Sequence, residues 1–458
     1  MMSFSSLTFI FMLLPFFLVI YQICPSRLRK YFLIVFSFLF YAWLQPSAVL
    51  ILITLLCINF YLVKVMDQYS SKRRKQEMLF LVVCNVFSLF YVKYYSFLLS
   101  EIKHVIPFLT FKEIENMPIG ISFYVFSLLS YVFDVYRHKI KAEQKLSDFA
   151  LYVAFFPKLL MGPIMRYQDF RKQYVFHRIK KENFEVGMKL FTCGLFQKVV
   201  LANSFALIWM MPNKLESAWM AWLAAFAYTF EIYFDFQGYT QMAQGIAAMI
   251  GIRLDHNFNR PYRAVSISDF WHRWHMSLSS WFKDYIYIPC GGNRCSKGLQ
   301  VRNLFIVWML TGIWHGANWT FVVWGLYYGI LLILEKFVFE DRIKELPTWA
   351  RRSITMLLVM IGWIFFASPT LLDALHYLKT MFTSFHLSYV FLQTLKNSWW
   401  LFVVAIWLSN YDLSAILTNL ERKPIKSWLQ WGIILFVWAS ILVYSAADTM
   451  HAFIYFNF

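Results

Sequence analysis

Stretches of about 20 mostly apolar residues, the length a helix needs to cross a bilayer, recur from one end of the chain to the other with short polar loops between them. The pattern predicts an all-α polytopic membrane protein. The first stretch, Phe4 to Cys24, has no basic lead before it and no small-residue cleavage site after it, so it reads as a retained span and not a signal peptide. Lys and Arg near span ends favour the cytoplasm, and this orients each crossing. The loop from Pro25 to Lys30 carries Arg27, Arg29 and Lys30, and the loop from Asp67 to Gln76 carries Lys72, Arg73, Arg74 and Lys75. Two spans turning at Gln45-Pro46 lie between these loops, which places the amino terminus outside.

Met78 to Leu99 leads out to a mixed-charge segment, Glu101 to Met117, read as an external loop or interfacial helix, and Pro118 to Tyr136 returns to Arg137, His138, Lys139 and Lys141. The next apolar segment, Phe149 to Met165, contains Pro157, Lys158, Gly162 and Pro163 and has basic residues on both flanks. A simple crossing would break the charge rule. A re-entrant hairpin satisfies both flanks, because broken backbone is tolerated at membrane depth when protein or a wet cavity surrounds it. Leu190 to Met211 and Ala218 to Ile252 follow, the latter with Glu231 and Asp235 inside it, where carboxylates either brace helices or line a substrate path. Phe270 to Pro289, crowded with His272, Arg273, His275, Lys283 and Asp284, is a second re-entrant or interfacial candidate. Leu304 to Ala317, Trp319 to Phe339, Ile354 to Ser368, Trp399 to Asn410 and Trp428 to Ala447 complete about twelve crossings, with the carboxyl terminus outside. Polar interruptions are too short for a soluble core, so residues 1–458 are expected to form a single integral-membrane domain.

Composition strengthens the membrane reading. Of the 458 residues, 60% are hydrophobic and 15% charged, against roughly 25% charged in a soluble domain. The net charge of +18 sits mostly in short loops facing lipid headgroups, which argues against nucleic-acid binding. The six cysteines show neither a disulfide framework nor zinc spacing, so no metal site is expected.

Candidate chemistry centres on histidines. His315 lies in Thr-Gly-Ile-Trp-His-Gly-Ala-Asn-Trp, an ionisable ring at membrane depth followed by small residues. Such a ring either bridges helices or acts as a general base near neutral pH. His272 and His275 would share a face if their segment is helical. Asp269 and Arg273 nearby suit fixing a tautomer or binding an anionic donor. Arg260, Arg263, Arg273, Lys283 and Arg294 together suit either the phosphates of a cytosolic cofactor or lipid headgroups. No Gly-x-Ser-x-Gly elbow, phosphate-binding glycine loop or His-Glu-x-x-His motif is present, which weakens hydrolase and nucleotide-driven pump readings.

The stretch from Asn257 to Arg294, NFNRPYRAVSISDFWHRWHMSLSSWFKDYIYIPCGGNR, followed by LTGIWHGANWTFVVWGLYYG, resembles the membrane-bound O-acyltransferases, in particular the bacterial alginate O-acetyltransferase subgroup. PIGISFYVFSLLSYVFDVYR from Pro118, FFPKLLMGPIMRY from Phe155 and YFDFQGYTQMAQGIAAMIG from Tyr233 support it. The resemblance implies a ring of helices with re-entrant segments around a central tunnel, with a catalytic core over about residues 118–329. It also implies a buried essential histidine at His315 and a second, more cytosolic one at His275. Asn318 or a nearby Trp would steady the oxyanion. The last residues, Phe-Ile-Tyr-Phe-Asn-Phe, resemble a motif whose tyrosine carries the acyl group onward, which points to Tyr455 in the 428–458 span and tail; aromatic anchoring at the interface is the alternative there.

The implied activity is acetyl transfer from a cytosolic thioester, acetyl-CoA or similar, toward a polysaccharide or peptidoglycan outside the plasma membrane. No permanent cofactor is implied, and an extracytoplasmic acyltransferase is the expected partner. Arg260, Arg273, Lys283 and Arg294 would hold the donor. D-alanyl transfer to teichoic acid is the alternative within the family, and a polytopic transporter the alternative outside it, although no inverted repeat is visible.

Overall fold

In the computed structural model, residues 3–106, 117–173, 178–411, 413, 427–446 and 453–454 are described. All regular structure among them is helical. Among the described residues, five helices combine the length and apolarity of a span: Pro46–Gln68, Lys72–Lys103, Lys181–Trp209, Trp319–Glu345 and Thr348–Ala367. Shorter apolar helices cover Phe9–Ile23, Ile121–Tyr136 and Trp431–Ala446. The outward faces of these helices are strongly apolar, with Leu50, Phe87, Trp349 and Leu435 all exposed. In water this would be untenable, and in lipid it is the expected solvent-facing surface.

The chain divides into two compact units, residues 1–188 with 243–255, and residues 189–242 with 256–458. In the first unit, Ser26–Leu44 and Pro46–Gln68 meet at Gln45, where proline opens the second helix. Polar side chains join its helices. Asn59 and Asn85 exchange amide hydrogen bonds at 3.1 and 2.8 Å, Lys30 pairs with Asp148 at 2.7 Å, and Asp67 accepts from Arg74 and from the Ala142 N–H. The proline- and glycine-bearing segment breaks as expected. Helix Leu146–Ala154 stops at Phe155, one turn follows at Phe156–Leu159, and every residue from Phe149 to Met165 is buried. Its backbone is thus enclosed by protein, the condition for irregular chain at membrane depth. Within it, the Lys158 ammonium sits 4.3 Å from the Tyr152 ring centroid and 5.5 Å from that of Phe170.

In the second unit, the helical run from Leu190 to Trp209 carries a π-helical turn at Gln197–Ala202, and the part of helix Ala218–Met249 that belongs to this unit packs against it. The approach is backbone to backbone. A Cβ on Gly194 would lie 2.5 Å from the Gly238 carbonyl oxygen, and one on Gly238 would lie 2.7 Å from that of Gly194. Helices Lys297–His315 and Trp319–Leu334 use the same device at Gly312 and Gly325. Several elements exceed their apolar stretch: Lys297–His315 starts before Leu304, and Tyr389–Asn410 before Trp399. Helix Leu371–Thr383, amphipathic and too short to span, is one the apolar pattern does not announce.

Candidate active site

The second unit holds the candidate residues. Helix Ile267–Arg273 is short, and its start is pinned by three carboxyl and hydroxyl groups. The Ser266 hydroxyl oxygen accepts from the Asp269 N–H at 3.1 Å, Asp269 accepts from the Val265 N–H, and the Glu335 carboxylate takes the N–H groups of Ile267 and Ser268 at 2.6 and 3.0 Å. These satisfy donors that a helix start leaves open. Arg273 then donates to Asp269 at 2.7 Å, so this carboxylate serves the cap and the guanidinium.

The helix ends at Arg273, and His275 takes a left-handed backbone (φ 44°, ψ 53°) before helix Met276–Phe282 begins. The shared helical face expected for His272 and His275 is therefore not formed. His272 is exposed and donates to the Ser268 carbonyl at 2.6 Å, whereas His275 is buried. A left-handed non-glycine residue costs on the order of 1–3 kcal/mol and persists where surroundings over-determine it. Here Asn257 supplies the restraint. Its carbonyl accepts the Met276 N–H, its side-chain oxygen accepts the Ser277 N–H and hydroxyl, and the Asn259 N–H donates to the Arg273 carbonyl. The His275 ring meets Phe236 edge-on at 4.7 Å and lies 6.2 Å from Trp314.

His315 is the last residue of helix Lys297–His315. Its ring is boxed by Trp314 at 4.7 Å, Trp324 at 4.8 Å and Phe366 at 5.1 Å, with Phe321 beyond. Asn318 follows in the turn, where its oxygen caps Trp319–Leu334 through the Thr320 N–H and its amide nitrogen donates to the Pro369 carbonyl. That side chain is committed to the turn.

His275 and His315 line one cavity of about 380 Å³. Its other walls are mainly Trp271, Trp274, Trp308, Leu278 and Val307, and its lining includes exposed His272, Ser280 and Lys283 as well as the two buried histidines. The Trp271 indole N–H in this wall is buried without an acceptor. A second cleft of about 310 Å³ is lined by Arg260, Arg263, Arg273 and Arg352 together with Asp269 and Asn259. Arg260 is the other left-handed residue of this region (φ 48°). The structure thus gathers Arg260 and Arg273 into one cleft, puts Lys283 on the histidine cavity, and leaves Arg294 exposed in the loop after Cys290, on neither. Arg352 is an addition from a distant helix that local sequence gives no sign of. Tyr455 lies outside the described residues. Among the described residues no cluster of His, Cys, Asp or Glu is arranged to hold a metal.

Residues 31–372 match the membrane-bound O-acyltransferase family. The chain belongs to it. This acyltransferase is 39% identical over 382 residues to "Probable alginate O-acetylase AlgI" of Pseudomonas syringae pv. tomato, covering 81% of this chain and 73% of that protein. It is 32% identical to the peptidoglycan O-acetyltransferase of Helicobacter pylori, over 82% of this chain and 79% of the relative. Similarity to the teichoic acid D-alanyltransferase of Bacillus subtilis is lower, 29% over 57% of this chain and 70% of the relative. The acyltransferase is thus a polytopic membrane enzyme of the alginate O-acetylase-like branch.

Proposed function

We propose that this enzyme takes an acetyl group from a cytosolic thioester, acetyl-CoA being the donor, and passes it outward for O-acetylation of a cell-envelope polysaccharide or peptidoglycan. Supporting this are the acetylating relatives at higher identity than the D-alanylating one. The observation that carries it is the single cavity shared by His275 and His315. An acceptor hydroxyl oxygen attacks the thioester carbonyl carbon, His315 takes the hydroxyl proton, the C–S bond breaks, and the proton passes to the departing thiolate. A thioester is already activated, so positioning and exclusion of water are the protein's main tasks, and the aromatic box around His315 suits both. The Trp271 N–H, without an acceptor in the cavity wall, is available to the donor carbonyl. The arginine cleft, with Lys283, suits the donor's phosphates.

In this reading the enzyme is one integral domain of the plasma membrane with both termini outside, Tyr455 is the first acceptor, and an extracytoplasmic acyltransferase completes delivery. Membrane vesicles given labelled acetyl-CoA or a labelled D-alanyl thioester test it. Label is expected on protein and glycan from the acetyl donor, and transfer from the D-alanyl donor alone would overturn the acetyl assignment.

Two variants refine the reading. Arg260→Ser and Arg352→Ser should each raise KM for acetyl-CoA about tenfold with kcat nearly unchanged, since a charge-assisted hydrogen bond contributes about 1.5–3 kcal/mol; unchanged KM in both would remove the cleft from donor binding. Tyr455→Phe keeps the ring and deletes the hydroxyl, so polymer acetylation should disappear while slow hydrolysis of acetyl-CoA continues. Normal polymer acetylation in that variant would end the carrier role.

A further inference from the structure

The second unit contains a buried ion pair that the chemistry above does not use. Lys198 Nζ lies 2.6 Å from Asp235 Oδ1, and both side chains are only 2% exposed. Lys198 sits on the π-helical turn Gln197–Ala202, a distortion often found at functional positions. A Cβ on Gly238 would come within 3.1 Å of the Lys198 backbone nitrogen, so the lack of a side chain there lets the two helices close around the pair.

A buried ion pair is weak evidence for stability, because an apolar pair of similar volume often does as well. This one has further occupants. The second oxygen of Asp235 accepts the Ile454 N–H at 2.8 Å. The Lys198 ammonium lies 4.5 Å from the centroid of Phe453, whose ring is 1% exposed and meets Tyr239 edge-on at 5.1 Å. One carboxylate therefore holds a lysine from one helix and a backbone N–H from a segment 219 residues away in sequence, while the lysine holds that segment's aromatic ring.

We propose that Lys198 and Asp235 form a socket that grips Phe453 and Ile454 and thereby positions Tyr455, the next residue, to receive the acyl group. They are positioning residues, not catalytic ones, and the functional half of this proposal rests on Tyr455 being the acceptor. Without the socket the tyrosine would still be chemically competent but would visit the acyl donor less often.

Substitutions in the gripped segment test this without altering the helices that carry Lys198 and Asp235. Ile454→Pro deletes the N–H given to Asp235, Phe453→Ala deletes the ring over Lys198, and Ile454→Val keeps the N–H as the conservative control. In the full-length purified protein with its six cysteines replaced by serine and Tyr455→Cys added, a water-soluble maleimide should label position 455 at least tenfold faster when Ile454→Pro or Phe453→Ala is present, and no faster with Ile454→Val. Equal rates in all forms would overturn the socket, whatever Tyr455 does. In the chain that retains Tyr455, Ile454→Pro and Phe453→Ala should lower kcat for transfer from acetyl-CoA about tenfold with KM for that donor unchanged. Faster labelling with an unchanged kcat would overturn the positioning role. Full transfer by Tyr455→Phe would instead defeat the acceptor reading, and the labelling rates would still report on the socket.

Discussion

His315→Ala should lower acyl transfer roughly a thousandfold, within the 10²- to 10⁴-fold range that a positioned acid–base group supplies, while donor binding persists. Because the ring fills a box of Trp314, Trp324 and Phe366, alanine also leaves a void. His315→Gln separates the two effects: it retains most of the volume and hydrogen-bonding capacity but has no titratable nitrogen. It should unfold near the wild-type temperature and be about as inactive as the alanine variant. Label transfer from acetyl-CoA measured beside thermal unfolding in detergent gives both numbers. If either variant kept transfer within tenfold of wild type, a base at this position would be untenable.

A single added methyl at Gly325 should do nearly as much damage by another route. Its Cβ would stand 2.5 Å from the Trp308 carbonyl oxygen and 3.1 Å from the Gly312 Cα, backbone atoms that cannot step aside. Gly325→Ala is therefore expected to cost about 2–3 kcal/mol, the upper part of the overpacking range, and to move the helix whose last residue is His315. Gly298→Ala is the matched control, since nothing lies within 4 Å of a Cβ there. It should change stability by no more than about 0.5 kcal/mol. Equal melting temperatures for the two variants would show that the helix contact at Gly312 and Gly325 yields more easily than its geometry implies.

The apolar stretches and basic loops made the helical architecture legible because lipid imposes a length and a composition on each crossing. They also located the break at Phe149–Met165, since a segment with Pro157, Gly162 and Pro163 and two basic flanks has few other solutions. Helix starts were less legible. Lys297–His315 begins with Lys297 and includes Arg302, and polar first turns are invisible to an apolar pattern although they extend a helix at no cost in water. The candidate site was legible where one short segment supplies a cavity-lining residue, as with buried His315, and obscure where distant segments meet. Nothing local to Arg352 announces that it joins Arg260 and Arg273. Lys198 did leave a trace, as a lone cation in an apolar stretch, and asking which carboxylate could neutralise it would have led to Asp235. The left-handed turn at His275 could not be anticipated from residue type, because a non-glycine residue adopts it only under restraint from Asn257, and that restraint is tertiary.

Helix Trp319–Leu334 touches the histidine helix through Gly325, and Glu335, just past its end, caps the short helix that presents Asp269 and Arg273. Ten residues at 1.5 Å each separate these two contacts by about 15 Å. The rod therefore works as a tie bar: it couples the helix that ends at His315 to the short helix that presents Asp269 and Arg273, so a shift at one end is felt by both.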